Sequence, residues 1–540
     1  MEIEERQPVL TGLQPQGPSG PRLSRVAKGA LFGVVAGCVV LGGVLVLAPS
    51  APHIAAPPSP GPGPLTQAMT AVGAGLPVAL PDLAALIGDR EAHLRAHPRD
   101  GQSWAVLGAA YVEQGRRTAT PAYFPKAEQA LRTSLETGPT GNVAALDGLA
   151  ALANARNDFQ EGRKWAERAV AQAPKQWTAY PLLIDSCTGV GDYKGARKAL
   201  EKLQGLYHGP PVLARAAQVY WDLGWREDAS AALTDAAAGA TTPTERAAWL
   251  AGAGRLAWER GDREESLRYY EAALRADPDQ HGALAGQGRA LAALRRTPEA
   301  LRAYRTALSR QPDPRYALEL GELQESLGMG REAREQYDLL RARVRSETAG
   351  GVDDELVLGL FEADHGDPES AVRRLRGEWE RQPGIAVADA LGWALHRAGD
   401  NEEALKFATK ATDKTKGGGV RSALYVYHLG QIERGLKLLG PARRHLAESL
   451  QINPYFSPVF APSAKQALAA LGEPPKEPLP EPEEPVDPAE PEGAQGPPAA
   501  GALPRHPSAA PAVPRRPPAP APAPAPSAAP YPAPRHTTSR

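Results

Sequence analysis

The sequence predicts an all-α solenoid of about ten helical hairpins. A small residue is followed by a second small residue twelve positions later, as in Gly288 with Ala300 and Gly392 with Ala404. The second members lie roughly 33 to 38 residues apart, a period typical of stacked helical hairpins. The other pairs are Ala150 with Gly162, Ala217 with Ala229, Gly254 with Ser266, Gly321 with Ala333, Gly359 with Ala371 and Gly430 with Ala442, with Ile184 and Ala196 in the same register and Gly108 and Ala127 separated by an inserted loop.

The recurring glycine indicates close contact between the two helices of each hairpin. Glycine inside a helix costs about 1 kcal/mol relative to alanine, so it needs a packing reason. We therefore expect Gly392 and Ala404 to be packing residues, where a larger side chain costs roughly 1 to 3 kcal/mol.

Residues 248–278 (AWLAGAGRLAWERGDREESLRYYEAALRADP) and 283–312 (ALAGQGRALAALRRTPEALRAYRTALSRQP) carry the fullest form of the pattern. A tyrosine or leucine follows four residues after the second small residue, and proline closes many units. Over about residues 101–455 the chain resembles the tetratricopeptide repeat (TPR) family. The resemblance implies a right-handed solenoid, and the whole chain looks like membrane-anchored TPR proteins of high-GC Gram-positive bacteria. Extra residues at 337–352 and 411–423 are interpreted as longer turns between repeats.

An apolar segment near the N-terminus predicts a membrane anchor. Residues 29–48 contain no charged residue, and Arg22, Arg25 and Lys28 precede them. We expect residues 1–28 in the cytoplasm, a transmembrane helix at 29–48 and the repeats outside the cytoplasmic membrane. A cleaved signal peptide, a lipoprotein at Cys38 and a second span at 69–88 remain alternatives. Glycines 29, 33 and 37 have the spacing at which two such helices can dimerise, so Gly29, Gly33 and Gly37 are a candidate dimer contact.

The remaining boundaries follow from composition. Residues 49–80, rich in proline, glycine and alanine, are predicted to form a tether, and residues 81–472 the solenoid with a capping helix at each end. Residues 473–540 are so rich in proline and alanine that they predict a disordered tail.

Charge and motifs exclude several functions. The net charge of −1 gives no bulk attraction to nucleic acid, so no such partner is expected. Cys38 and Cys187 form no disulfide framework and no zinc spacing. The motif GAGRLA at 252–257 matches a loose dinucleotide pattern but falls inside a repeat helix. We therefore predict no enzyme, no catalytic residue, no metal and no cofactor.

The first helix of each TPR hairpin lines a concave groove in the family, and the resemblance implies the same here. Groove-facing positions lie one and four residues after the first small site and three before it. Aromatic residues there could hold apolar side chains of a peptide, and arginines its carboxylates. Packing of Trp221 and Trp258 between repeats is the alternative. The predicted partner-binding residues are Asn154, Asp185, Gln218, Trp221, Arg255, Trp258, Arg289, Trp393 and Arg397.

These observations predict a membrane-anchored scaffold that binds a protein or peptide partner in its groove. One alternative is a cell-envelope spacer in which the tether and tail matter more than the groove. A second alternative is an enzyme subunit.

Overall fold

The computed structural model describes residues 63–138, 140–413 and 419–472. This part of the chain contains 23 α-helices and no strand. Two helices lead, α1 (Pro64–Gly73) and α2 (Leu80–Ala96), and α23 (Phe460–Ala470) ends the array. Between them lie ten antiparallel hairpins, as predicted: α3 (Gly101–Thr118) with α4 (Tyr123–Thr137), α5 (Val143–Ala155) with α6 (Phe159–Gln172), α7 (Ala179–Gly189) with α8 (Tyr193–Leu206), α9 (Pro210–Asp222) with α10 (Arg226–Ala238), α11 (Pro243–Glu259) with α12 (Arg263–Ala276), α13 (His281–Ala293) with α14 (Thr297–Arg310), α15 (Pro314–Ser326) with α16 (Gly330–Ala349), α17 (Glu355–His365) with α18 (Pro368–Arg381), α19 (Ile385–Arg397) with α20 (Asn401–Thr412), and α21 (Ala423–Gly435) with α22 (Leu439–Ile452).

The small residues pack where the two helices of a hairpin meet. A Cβ atom at Gly288 would lie 2.7 Å from Cδ2 of Tyr304, sixteen residues later. At Gly392 it would lie 3.0 Å from the backbone nitrogen of Ala408 and 3.2 Å from the carbonyl oxygen of Ala404. The expected packing role is confirmed, and the structure adds that the tyrosine of the repeat covers the glycine.

Aspartates at the hairpin turns start the second helices. The carboxylates of Asp158, Asp192 and Asp400 accept hydrogen bonds from the backbone N–H three residues later at 3.1, 2.8 and 3.0 Å. Such an N-cap stabilises a helix by about 1 kcal/mol. It also fixes the point at which the chain reverses direction.

The predicted tether at 49–80 contains a helix in its second half, which corrects that assignment. Ala68 and Val72 of α1 are buried against Leu83, Leu86 and Ala110. Burying these side chains stabilises α1 against the first hairpin despite the prolines around it. Residues 69–88 form parts of α1 and α2 with a loop between them, so they are not a membrane span.

Within the described ranges, no helix is both long enough and apolar enough to cross a membrane. The predicted transmembrane helix at 29–48, the glycines at 29, 33 and 37, Cys38 and the tail at 473–540 lie outside these ranges. The predicted C-terminal cap corresponds to α23, whose Ala464 and Ala467 are buried against the last hairpins.

The array coils back on itself, so that a first winding (residues 101–276) touches a second winding (residues 277–453). The side-chain amide of Asn157 donates to the carbonyl of Asp353 at 2.9 Å, and that of Asn453 donates to the carbonyl of Trp258 at 2.7 Å. The amide N–H of Ile385 donates to the hydroxyl of Tyr193 at 3.1 Å. Each contact joins a residue at or beside the turn inside one hairpin to a residue at or beside a connection between hairpins, 192 to 196 residues later.

The irregular repeats supply contacts between the windings. Helix α3 runs on to Thr118, and Arg117 forms a buried ion pair with Asp277 at 2.9 Å. Helix α16 runs on to Ala349, so the first three of the extra residues ETAGG lengthen a helix, and only the two glycines lie in the predicted turn. Gly350 follows directly and its carbonyl accepts from Arg156 at 3.1 Å. These insertions therefore reach across to the other winding.

Candidate partner-binding interior

Two adjoining cavities of about 1090 Å³ each lie inside the coiled array. Arg255, Glu259, Arg315 and Tyr425 line both of them. The first cavity extends toward α3 and α9, and the second toward α23. Because both windings contribute walls, the predicted concave groove is a partly open interior, which solvent reaches at exposed side chains such as Arg255.

The nine predicted residues divide into two groups by their position. Asn154, Asp185 and Arg397 do not line either cavity. The remaining six do: Gln218, Trp221, Arg255, Trp258, Arg289 and Trp393.

The three tryptophans are packed into the protein at the cavity walls. Trp221 and Trp258 are 6% exposed and Trp393 is 3% exposed. The indole N–H of Trp393 donates to Asp364 at 3.0 Å, and its ring stacks on His428 with 4.2 Å between ring centroids. Their burial matches the packing alternative, although one edge of each contributes to a cavity wall.

The polar groove residues of the early repeats bond to the next repeat. The amide of Asn154 donates to the carbonyl of Leu182 at 3.0 Å. Asp185 forms an ion pair with Arg215 of the following repeat. Arg255 donates to the side-chain oxygen of Gln218 at 3.0 Å. Lateral pairs of this kind hold neighbouring first helices together, and they occupy atoms that a ligand would otherwise contact.

The arginines of the later repeats are neutralised in the same way. Arg289 forms an ion pair with Glu319 at 2.5 Å, and Arg397 lies 3.4 Å from Asp364. The pKa of Arg289 is raised well above its usual value; burial acts in the opposite direction, and Glu319 is the main group that raises it. These arginines are therefore already paired with carboxylates of the protein.

Among the cavity-wall carboxylates that lack such a cation partner in the described chain, three lie on the first helices of hairpins, whereas Asp354 precedes α17. Asp222 accepts from Gln218 at 3.0 Å through Oδ1, while its buried Oδ2 accepts no hydrogen bond of normal length from any described residue. Glu259 and Glu322 form no side-chain hydrogen bond and no ion pair with the described residues. Asp222 lines the first cavity, Glu322 the second and Glu259 both.

Sequence reasoning did not select these three acids. Glu322 follows Gly321 directly, which is a groove position, and Asp222 and Glu259 each lie five residues after a first small site. One helical turn separates positions one and five, so both face the same side. The spacing from the first small residue could therefore have identified these three acids as groove-facing.

Burial raises the pKa of each of the three carboxyl groups. The pKa of Glu322 rises to about 8 because of burial and the nearby acids Asp364, Glu319 and Glu325. Burial raises the pKa of Asp222 to about 7 and also raises the pKa of Glu259. A nearby cation stabilises the ionised form of a carboxyl group whose pKa is raised in this way.

A buried histidine with one ring nitrogen that is unpartnered in the described chain lies at the wall of the second cavity. His428 lies 3.0 Å from both carboxylate oxygens of Asp389 through Nδ1, while its Nε2 has no partner among the described residues. When Nδ1–H donates to Asp389 in the neutral imidazole, Nε2 carries the lone pair. Within the described ranges, no three His, Cys, Asp or Glu side chains are placed to hold a metal ion.

The family model described as tetratricopeptide repeat matches residues 214–281, 251–301 and 286–347. A thermophilic TPR protein of Thermus thermophilus is similar at 20% identity and a TM-score of 0.30, covering 34% of this chain and 99% of that protein. A TPR protein of Parabacteroides merdae is similar at 17% identity and a TM-score of 0.29, covering 49% and 99%. Yeast Tom70 is similar at 12% identity and a TM-score of 0.30, covering 67% and 94%. A comparison with curated proteins finds no match.

The matched repeats support the TPR assignment and imply a protein-interaction scaffold. They indicate no catalytic family.

Proposed function

We propose that this chain is a membrane-anchored TPR scaffold that binds an extended segment of a partner protein inside the coiled array. The anchor is residues 29–48, with the N-terminus in the cytoplasm and the repeats on the outer side of the membrane. The charge-free run and the basic residues before it support this orientation.

The pair of adjoining cavities is the observation that carries the proposed binding site. Small-molecule pockets occupy roughly 300 to 1000 Å³. Each of the two adjoining cavities has a volume of about 1090 Å³, so together they provide more space than a small molecule needs. Their walls combine buried aromatic rings with polar groups, the composition of sites that hold peptides in an extended form. An extended chain advances about 3.3 Å per residue, so several residues could lie along the two cavities.

Site-specific photo-crosslinking of the full chain in its own membrane tests the binding site. A photo-crosslinking amino acid is introduced at position 255, in the interior, and in a matched protein at position 335 on the exposed face of α16. We expect a discrete crosslinked partner segment from position 255 and none from position 335. The same products from both positions, or none from either, would contradict interior binding.

Protease treatment of intact cells tests the anchor and the side of the membrane. We expect the repeats to be digested while the membrane stays intact. A repeat domain that is fully protected until the cells are opened would contradict the proposed orientation.

A further inference from the structure

We infer that the partner segment is basic, and that it presents lysine or arginine side chains to Asp222, Glu259 and Glu322 inside the two cavities. This inference rests on the proposed function and names the chemistry of its ligand. It reverses the sequence-based expectation, in which arginines of the groove would bind carboxylates of the partner.

The reversal follows from which charges the protein has already paired. Arg289 is engaged by Glu319, and Arg397 lies beside Asp364. Arg255 is hydrogen-bonded only to the neutral amide of Gln218. Arg295 and Lys465 also line the second cavity and form no ion pair with the described residues, so an incoming basic segment must avoid all three cations.

The three acids differ in the charged groups around them. The charged neighbours that affect Glu322 are all acidic, namely Asp364, Glu319 and Glu325. Glu259 senses Arg226, Arg255 and Arg289 and also Glu319. Asp222 senses Arg255 and Asp185. Of the three acids, Glu322 is therefore the one whose negative charge is least compensated by nearby cations. We expect it to contribute most to binding.

Unpaired buried polar atoms provide an independent indication. Asp222 is 9% exposed and lines the first cavity. Its Oδ2 accepts no hydrogen bond of normal length in the described chain, although the hydroxyl of Thr188 lies close enough to lower the pKa of the carboxyl group. His428 is 1% exposed, lines the second cavity, and leaves Nε2 without a partner there. Buried acceptors normally have donors, and ammonium and guanidinium groups are rich in N–H donors. The Asp222 carboxylate is thus a buried acceptor that an ammonium or guanidinium group of a basic segment can satisfy.

Binding should release protons near neutral pH. A cation placed beside Glu322 or Asp222 lowers the raised pKa of that carboxyl group, so protons leave as the complex forms. Affinity for a basic segment should consequently increase as the pH rises from about 6 to about 8.

The first experiment compares flexible peptides of equal length against the full-length chain in detergent. The probes are fluorescein-labelled (Lys-Gly-Ser)4, (Gln-Gly-Ser)4 and (Glu-Gly-Ser)4, read out by fluorescence anisotropy. We expect the lysine peptide to bind at least about tenfold more tightly than the other two, a difference of about 1.4 kcal/mol. Equal or tighter binding of the glutamate peptide would overturn the inference.

Isosteric variants locate the binding site. We expect Glu322→Gln to weaken binding of the lysine peptide by about tenfold, through loss of a charge-assisted hydrogen bond, and Glu259→Gln to weaken it less. The control Glu335→Gln removes the same charge from the exposed face of α16 and should leave the affinity within about twofold. An equal loss in the control would show that only net charge matters, and would overturn the inference.

Two further outcomes separate the possible failures. If spermine binds with the Glu322 dependence and the lysine peptide does not, the site takes a small cation and the inference is wrong. If position 255 crosslinks a partner segment that lacks basic residues, the inference fails while the proposed interior binding stands. A folding defect is checked separately, because Glu322→Gln should raise the thermal stability while it lowers the affinity.

Discussion

Contact between the two windings can be tested at a pair of glycines that differ in little else. Gly191 has φ of 76° and Gly328 has φ of 75°, and each lies two residues after the first helix of a hairpin. A Cβ atom at Gly191 would collide with the carbonyl oxygen of Pro383 in the second winding, well under 3.0 Å away. A Cβ atom at Gly328 would meet nothing within 4 Å.

The difference between Gly191→Ala and Gly328→Ala isolates the contact. Alanine in the left-handed conformation costs about 1 to 2 kcal/mol at either position. At Gly191 the new methyl group also meets backbone atoms, which cannot rotate away, and this overpacking adds about 1 to 3 kcal/mol. We therefore expect Gly191→Ala to be the more destabilising by about 1 to 3 kcal/mol.

Hydrogen exchange at the backbone amide of Ile385 measures the loss of stability at the contact between the windings. That amide donates to Tyr193 across the windings at 3.1 Å, so separation of the windings exposes it. A loss of about 1 to 3 kcal/mol corresponds to exchange about 5 to 140 times faster. If the amide of Ile385 exchanges at the same rate in both variants, the two windings do not touch at this point.

Three other perturbations follow from the same contacts. Arg117→Ala should cost about 3 to 5 kcal/mol in urea unfolding because it leaves Asp277 buried without a cation, whereas Arg132→Ala at an exposed pair should change little; equal effects would contradict a buried role for Arg117. Trp258→Ala should lower the free energy of unfolding by about 3 to 5 kcal/mol, since the ring is 6% exposed, and a stable variant would show that it is not packed. Glu322→Gln should stabilise the protein on the order of 1 to 3 kcal/mol at pH 9 and by little at pH 4. The folded pKa of about 8 lies above the usual value, so the ionised form is disfavoured in the folded state and its cost grows from about pH 4.5 to pH 8; a gain that is independent of pH would contradict this.

The repeat could be predicted from the sequence because its signal is local. Gly288 and Ala300 lie within one hairpin, and Tyr304 is only four residues further on. A pattern of this length recurs many times along the chain, so it specifies hairpins and their number.

The contacts between windings could not be predicted in the same way. Asn157 and Asp353 are 196 residues apart, and neither carries a local feature that indicates the other. The insertion before Gly350 was read as a turn because it follows a complete repeat, yet its residues prolong α16 toward Arg156. Which residues of the two windings meet depends on the coil of the whole array. That coil is the sum of small rotations between successive repeats.

The binding residues, too, could be predicted only as far as local sequence determines them. Periodicity correctly placed Arg289 at the cavity wall, but whether its charge is free depends on Glu319, which belongs to the next repeat. Glu322 stands at an equivalent position and has no such neighbour in the described chain. Sequence position therefore predicted which way a side chain faces, and the lateral pairing determined what it can bind.

Mapping where a basic peptide binds is the most direct test of this account. A (Lys-Gly-Ser)4 peptide with one photo-leucine is crosslinked to the full-length chain, and the attachment sites are identified by mass spectrometry. The account predicts attachment to the cavity-lining faces of α9, α11 and α15, and loss of that attachment in Glu322→Gln. Attachment confined to the outer helices, such as α16, or attachment unaffected by Glu322→Gln, would contradict it.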